Sequence, residues 1–148
     1  MKEEKRILIA GCRDFNNYKI AKRYINRCLS EIKKQYDLII VSGGAKGADM
    51  LGERFANEKK LKIERYLPDW QKYGKAAGPK RNKEMAAVSD YIICFWDKKK
   101  PRNCLDNKIR QTFRQAYKSK NNKLSVKYLL PFCAAALYNV LNGKGENF

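Results

Sequence analysis

The segment Leu38–Asp49, reading LIIVSGGAKGAD, constrains the fold of this chain more than any other. Leu38, Ile39, Ile40 and Val41 run directly into Ser42, Gly43, Gly44, Ala45, Lys46 and Gly47, and a helical pattern begins at Ala48. An unbroken apolar run of that length fits a strand covered on both faces, as in a parallel sheet. A strand that empties into glycines and then a helix is also a way to build an anion site from backbone. The glycines let the main chain approach a ligand closely, and the helix start offers unpaired N–H groups and the positive end of its dipole. Two readings stand: a cradle for a phosphate or nucleotide, and an ordinary tight strand-to-helix connection.

The flanking sequence repeats the same alternation. Arg6–Ala10 (RILIA) is short, apolar and closed by Gly11, a first strand followed by a turn that carries Arg13. From Tyr18, the apolar positions Ala21, Tyr24, Ile25, Cys28, Leu29 and Ile32 recur at helical spacing and predict one helix of roughly four turns. Asp37–Ser42 is the second strand, and Ala48, Leu51, Phe55 and Ala56 mark the buried side of a helix that leaves the glycine turn. Leu61–Leu67 alternates apolar and polar and stops at Pro68, as a third strand would.

Pro68–Lys80 (PDWQKYGKAAGPK) reads as a loop, and Gly78 and Pro79 open the next helix, which carries Arg81, Asn82, Glu84 and Met85. Asp90–Trp96 (DYIICFW) is a fourth strand. Lys98–Cys104 is a second loop, followed by a helix with the stripe Leu105, Ile109, Phe113, Ala116 and Tyr117. Ser125–Leu130 is a fifth strand, and from Pro131 a short apolar segment, Phe132–Leu141, docks on the core or joins a homo-oligomer interface.

Strands alternating with helices predict an α/β chain: a Rossmann-like three-layer sandwich with a mostly parallel sheet of about five strands and a short C-terminal helix. The expected division is a domain over residues 1–128 and an apolar helical extension over 129–148. Ligands of such folds bind where the loops at the carboxyl ends of the strands converge. Here those loops are Gly11–Phe15, Ser42–Asp49, Pro68–Lys80 and Asp97–Asn103.

Composition narrows the chemistry. No stretch is long and apolar enough for a membrane span, and MKEEKR lacks a signal core, so a cytoplasmic protein is expected. Five cysteines, odd in number and never paired as CxxC, argue against a disulfide framework and a structural metal site. The chain has no histidine, so any catalysis would fall to carboxylates, Tyr, Lys, Arg or Cys. The net charge of +18 comes from 33 Lys and Arg against 15 acids. Such a field attracts polyanions and phosphorylated ligands in a salt-dependent way, or serves solubility. Residues 98–127 alone hold 11 basic residues and the single acid Asp106.

The succession GCRDF, VSGGAKGAD, LPDWQKYGKAAGPKRNKEM and DYIICFWD, spread over Ile7–Asp97, resembles the SLOG superfamily in its YspA, cpYpsA-related branch. The resemblance implies a Rossmannoid fold with a pocket for nucleotides or nucleotide-derived ligands. It also implies kinship with the LOG phosphoribohydrolases, with the DNA-binding protein of natural transformation (DprA) and with ligand sensors of phage defence. Carried onto this sequence, the pocket comprises Gly11, Arg13, Ser42, Gly43, Gly44, Gly47, Asp49, Trp70, Tyr73, Gly78, Arg81 and Asn82.

Each has a chemical rationale of its own. Gly43, Gly44 and Gly47 would turn backbone N–H groups toward a phosphate, and Arg13 and Arg81 offer planar forks for phosphate oxygens. Trp70 or Tyr73 would stack on a base, with core packing the rival role for Trp70. Asp49 would accept from a ribose, or stabilise the helix start. One departure is clear: relatives commonly carry a second glycine turn ending in Gly-Thr after the fourth strand. This chain instead has Lys98, Lys99, Lys100 and Arg102, secondary anion contacts made of side chains. The PGGxGT signature of the phosphoribohydrolases is absent as well.

The expected function is binding of a nucleotide or nucleotide-derived ligand, such as ADP-ribose or a cyclic nucleotide, by a sensor or sequestering module with no required cofactor. One alternative is an N-glycosidic hydrolase of nucleoside phosphates using Asp49 or Glu84. The other is nucleic-acid binding through Lys98–Lys127, with Trp70 or Tyr73 as stacking platforms.

Overall fold

The computed structural model describes residues 1–95 and the backbone of 125–129. In chain order the elements are β1 Glu4–Gly11, α1 Tyr18–Leu29, α2 Ile32–Gln35, β2 Asp37–Ser42, α3 Ala48–Glu58 and β3 Lys62–Arg65. Then follow α4 Trp70–Tyr73, a single 3-10 turn Gly74–Ala76, α5 Ala77–Val88, β4 Tyr91–Phe95 and β5 Ser125–Leu129.

The most apolar strands take the centre of the sheet. The five described strands are all parallel, in the order β3-β2-β1-β4-β5. β1 lies between β2 and β4, pairing Ile7 with Ile40 on one side and with Tyr91 on the other. Ile7, Leu8 and Ile9 accordingly have no exposed surface. The edge strand β3 is short, and Lys62 and Arg65 at its ends are exposed, which discourages pairing with another chain.

Helices cover both faces. Strand alternation sends Ile7, Ile9, Leu38, Ile40, Ile93 and Phe95 to one side, where they meet Ala21, Ile25 and Cys28 of α1 and Ala48, Leu51, Phe55 and Ala56 of α3. Leu8, Ala10, Val41 and Ile92 face the other way, onto Met85 and Ala86 of α5. This is the three-layer α/β sandwich expected from the alternation of patterns. Among the described residues no helix is long and apolar enough to cross a membrane.

Two details differ from the sequence expectation. The single helix from Tyr18 to Ile32 is interrupted: α1 ends at Leu29, and Ser30 Oγ donates to the Arg27 carbonyl at 3.0 Å before α2 resumes the buried stripe at Ile32. A serine that bonds back to the preceding turn competes with helix continuation. The expected loop Pro68–Lys80 is largely helical, because Asp69 caps α4 by accepting from Lys72 N at 3.0 Å and the 3-10 turn leads directly into α5.

The fifth strand ends at Leu129, the residue assigned to the start of the C-terminal extension. The loop Lys98–Cys104, the helix carrying Leu105–Tyr117 and the rest of that extension lie outside the described residues.

Candidate functional site

The chain moves from β1 outward to β3, then returns to the opposite side of β1 with β4. The reversal makes β1 and β4 the switch point, where loops at the carboxyl ends leave a crevice. The backbone there is pulled tight. Cys12 N donates to the Phe95 carbonyl at 2.8 Å, and Ala48 N donates to the Cys12 carbonyl at 3.2 Å. The loops after β1 and β2 are thereby tied to each other and to β4. Gly11 sits where a Cβ would lie 1.9 Å from Phe95 O, and Gly47, at φ +83°, where a Cβ would lie 2.3 Å from Cys12 O. These glycines are needed for close approach of backbone to backbone.

The turn itself departs from the expected cradle. Gly44 N donates to Ser42 Oγ at 3.1 Å and Ala45 N to Asp49 Oδ2 at 3.4 Å, and the Ala48 amide is committed to Cys12. The amides of Gly43, Gly44, Ala45 and Ala48 are therefore bonded within the protein and do not turn outward to a phosphate. The sequence shows that the backbone can come close to something, but not whether that partner is a ligand or the protein's own side chains.

What rests on the turn is Arg81. Its Nη1 donates to the Gly43 carbonyl at 2.6 Å, while Nε and Nη2 donate to Asn82 Oδ1 at 3.2 and 3.0 Å. A Cβ on Gly43 would lie 2.5 Å from Arg81 Nη1 and 2.7 Å from Asp49 Oδ2, so this glycine makes room for a cation and an anion together. Burial pulls the Arg81 pKa below its ordinary value; the Asp49 charge opposes that, and the positive charge of Arg13 adds to it. Arg13 itself is exposed on the loop after β1. Two guanidinium groups thus act on a place that holds one buried carboxylate.

Asp49 is 5% exposed, and its carboxyl is pushed above the usual carboxylate range by burial, against hydrogen bonds from the Ala45 and Gly43 amides and the charge of Arg81. Of the two roles open from sequence, its geometry is that of a group stabilising the turn and the helix start. Glu84, the other catalytic candidate, is exposed on α5.

The aromatic pair separates. Trp70 is 54% exposed, which removes core packing as its role; its ring edge lies 3.5 Å from where a Gly78 Cβ would stand. Gly78 is one helical turn before Arg81 and Asn82 on α5, so the indole and the guanidinium share one side of the helix. Tyr73 carries Lys80 Nζ over its ring, 3.5 Å from the centroid, and Lys80 followed by Lys72 lowers its hydroxyl pKa. Leu67, 72% exposed, borders the turn with Cδ2 at 3.2 Å from the Cβ position of Gly44. Lys98, Lys99, Lys100 and Arg102 lie outside the described residues.

Two residues at the site escaped the sequence reading. Glu53, 7% exposed, accepts from Ser42 Oγ at 2.8 Å and from Arg65 Nε and Nη2 at 3.1 and 2.9 Å. Arg65 first, with Ser42 assisting, holds the Glu53 pKa below the usual value despite its burial. The available signal was Glu53's place inside the buried stripe Ala48, Leu51, Gly52, Phe55 and Ala56, where an acid requires partners.

A 69-residue stretch is 36% identical to the Gene 61 protein of Mycobacterium phage D29, over 43% of this chain and 55% of that protein. The fold aligns with the X-ray structure of DNA processing protein A (DprA) from Streptococcus pneumoniae at a TM-score of 0.58 and 15% identity, covering 97% of this chain and 58% of that one. The chain thus spans little more than half the length of either protein. Residues 5–73, from the start of β1 through the glycine turn to the end of α4, match the YspA, cpYpsA-related SLOG family. This amino-terminal segment, which holds β1 to β3 of the parallel sheet and the glycine turn, is thus similar to the YspA, cpYpsA-related SLOG family.

Proposed function

We propose that the protein binds a nucleotide-derived anion at the carboxyl end of the sheet, as a sensor or sequestering module. The observation that carries this reading is the unbalanced pair of guanidiniums, Arg81 resting on the Gly43 carbonyl and Arg13 acting on it from the β1 loop. An oxyanion between them relieves their repulsion and accepts charge-assisted hydrogen bonds. The exposed indole of Trp70, on the same side of α5, offers a base its stacking surface, whereas one face of Tyr73 is already occupied by Lys80. The phosphate therefore rests on side chains, and the glycine turn supports them.

Calorimetry against ADP-ribose, NAD and cyclic nucleotides tests the reading. At least one should bind, and Arg13→Ala and Arg81→Ala should each weaken it about tenfold or more, the scale of one lost hydrogen bond to a charged group. Absence of binding across the panel, or affinities unchanged in both variants, removes the proposal.

A second reading follows from the surroundings of Trp70. Exposed Lys72, Lys75 and Lys80 lie near it in sequence on α4, the 3-10 turn and α5, a mixture of aromatic and cationic groups suited to a single nucleic-acid strand. Binding of an oligonucleotide should then fall steeply with salt, and a flat response excludes it.

A further inference from the structure

We infer that Glu53 is a positioning residue of this site: anchored by Arg65, it orients Ser42 and, through one peptide unit of the glycine turn, Arg81. The inference rests on the reading of the site as an anion-binding one, but its structural half stands apart from any ligand. The Gly43 carbonyl and the Gly44 N–H belong to the same planar peptide. Arg81 Nη1 holds the carbonyl end at 2.6 Å, and Ser42 Oγ holds the N–H end at 3.1 Å. Rotation of that plane breaks both bonds together, so whatever fixes Ser42 also fixes the seat of Arg81.

Ser42 is fully buried and its hydroxyl has one proton to give. An ionised Glu53 accepts only, so the proton goes to Oε1 at 2.8 Å and an oxygen lone pair is left for Gly44 N. The other carboxylate oxygen receives both Arg65 bonds, which keeps the buried acid charged and in place. The path runs from β3 through α3 and β2 to the guanidinium on α5, and Glu53 needs no contact with ligand to act along it. Asp49, one turn before Glu53 on α3, pins the far side of the same turn by accepting from Ala45 N at 3.4 Å.

The experiment combines ADP-ribose titration with amide and guanidinium NMR of the ligand-free protein. Glu53→Ala and Ser42→Ala should each weaken ADP-ribose binding about fivefold or more, and the double variant should lose no more than either single one, as members of one path do. Glu53→Gln keeps an acceptor for the Ser42 proton but gives Arg65 an amide nitrogen in place of an oxygen, so it should weaken binding less than Ser42→Ala does, a comparison that also serves if Glu53→Ala does not fold. Without ligand, the Gly44 amide and Arg81 Nε resonances should move together in Glu53→Ala and in Ser42→Ala. Multiplying losses, a glutamine variant as weak as Ser42→Ala, or unmoved Gly44 and Arg81 resonances overturn the inference. If the unmodified protein binds no ADP-ribose, that failure weighs on the ligand proposal, and the resonances alone decide the path.

Discussion

Gly47→Ala separates the two reasons for a glycine in the turn. Gly47 has φ +83° and ψ −126°, a conformation essentially reserved for glycine, and the new methyl would stand 2.3 Å from Cys12 O and 2.5 Å from Arg13 O. These are backbone atoms of a loop that Cys12 N already ties to Phe95, so no side chain can swing away to make space. Strain of roughly 1–3 kcal/mol for the dihedrals and a further 1–3 kcal/mol or so for overpacking give a loss of about 2–6 kcal/mol.

Gly44→Ala is the control. At φ +66° it occupies the left-handed region, which costs an alanine about 1–2 kcal/mol, and its nearest neighbour at 3.2 Å is the exposed tip of Leu67. Urea unfolding followed by far-UV circular dichroism reads both variants. Gly47→Ala should lose roughly twice as much stability as Gly44→Ala, or more, with unchanged slope. If Gly47→Ala is no more destabilising than Gly44→Ala, the close approach of the two loops is not what the glycine serves.

Further expectations concern the core, the thiols and acid. Phe95→Ala removes a fully buried ring that stacks on Phe15 at 5.0 Å and meets Tyr24 edge-on at 5.9 Å, and calorimetric melting should show a loss of about 3–5 kcal/mol. Trp70→Ala, at an exposed position, should stay within about 0.5 kcal/mol of the unmodified protein in the same assay. Burial pushes the Cys28 thiol up to about 12, so mass mapping after iodoacetamide at mildly alkaline pH should find it unlabelled until the protein is denatured.

Asp49 binds its proton more tightly folded than unfolded, so it makes stability fall as pH rises from its ordinary 3.8; Asp49→Asn should flatten that fall in urea midpoints. Glu53 has the opposite sign: its contribution is present above the ordinary 4.5 and lost as pH drops through its lower folded value, and Glu53→Gln should flatten that acid limb.

The central strands are legible because burial on both faces leaves little choice of residue: Ile7–Ile9 and Leu38–Val41 are apolar without interruption, and the strands that hold them end within a residue or two of those expected. The helix break at Ser30 was not legible, since one hydroxyl turned back onto Arg27 leaves the periodic stripe through Ile32 intact. Nor was α4, whose four residues depend on a cap by Asp69 in a segment rich in glycine and proline. At the site, residue type announced Arg13 and Arg81 as cations and the glycines as points of close approach. It could not announce the partners of that approach. Gly52, whose Cβ would stand 2.8 Å from the Ile9 side chain, reads in sequence as just another small residue of α3.

The difference between an amide cradle and a seat for an arginine has chemical consequences. Outward amides bind any phosphate, because their dipoles are fixed by the turn alone. A guanidinium held by a carbonyl and an asparagine oxygen, as Arg81 is, keeps a directed fork but owes its direction to the turn and to Asn82. The acids of α3 then serve a purpose that an open cradle would forbid. In a nest of free amides, Asp49 and Glu53 would repel the phosphate; bonded to Ala45 N, Ser42 and Arg65, they spend their charge inside the protein and leave the cationic face to Arg13 and Arg81. The glycine motif is therefore a set of close contacts that brings α3 and α5 to the same few atoms, with the acids Asp49 and Glu53 bonded inside the protein.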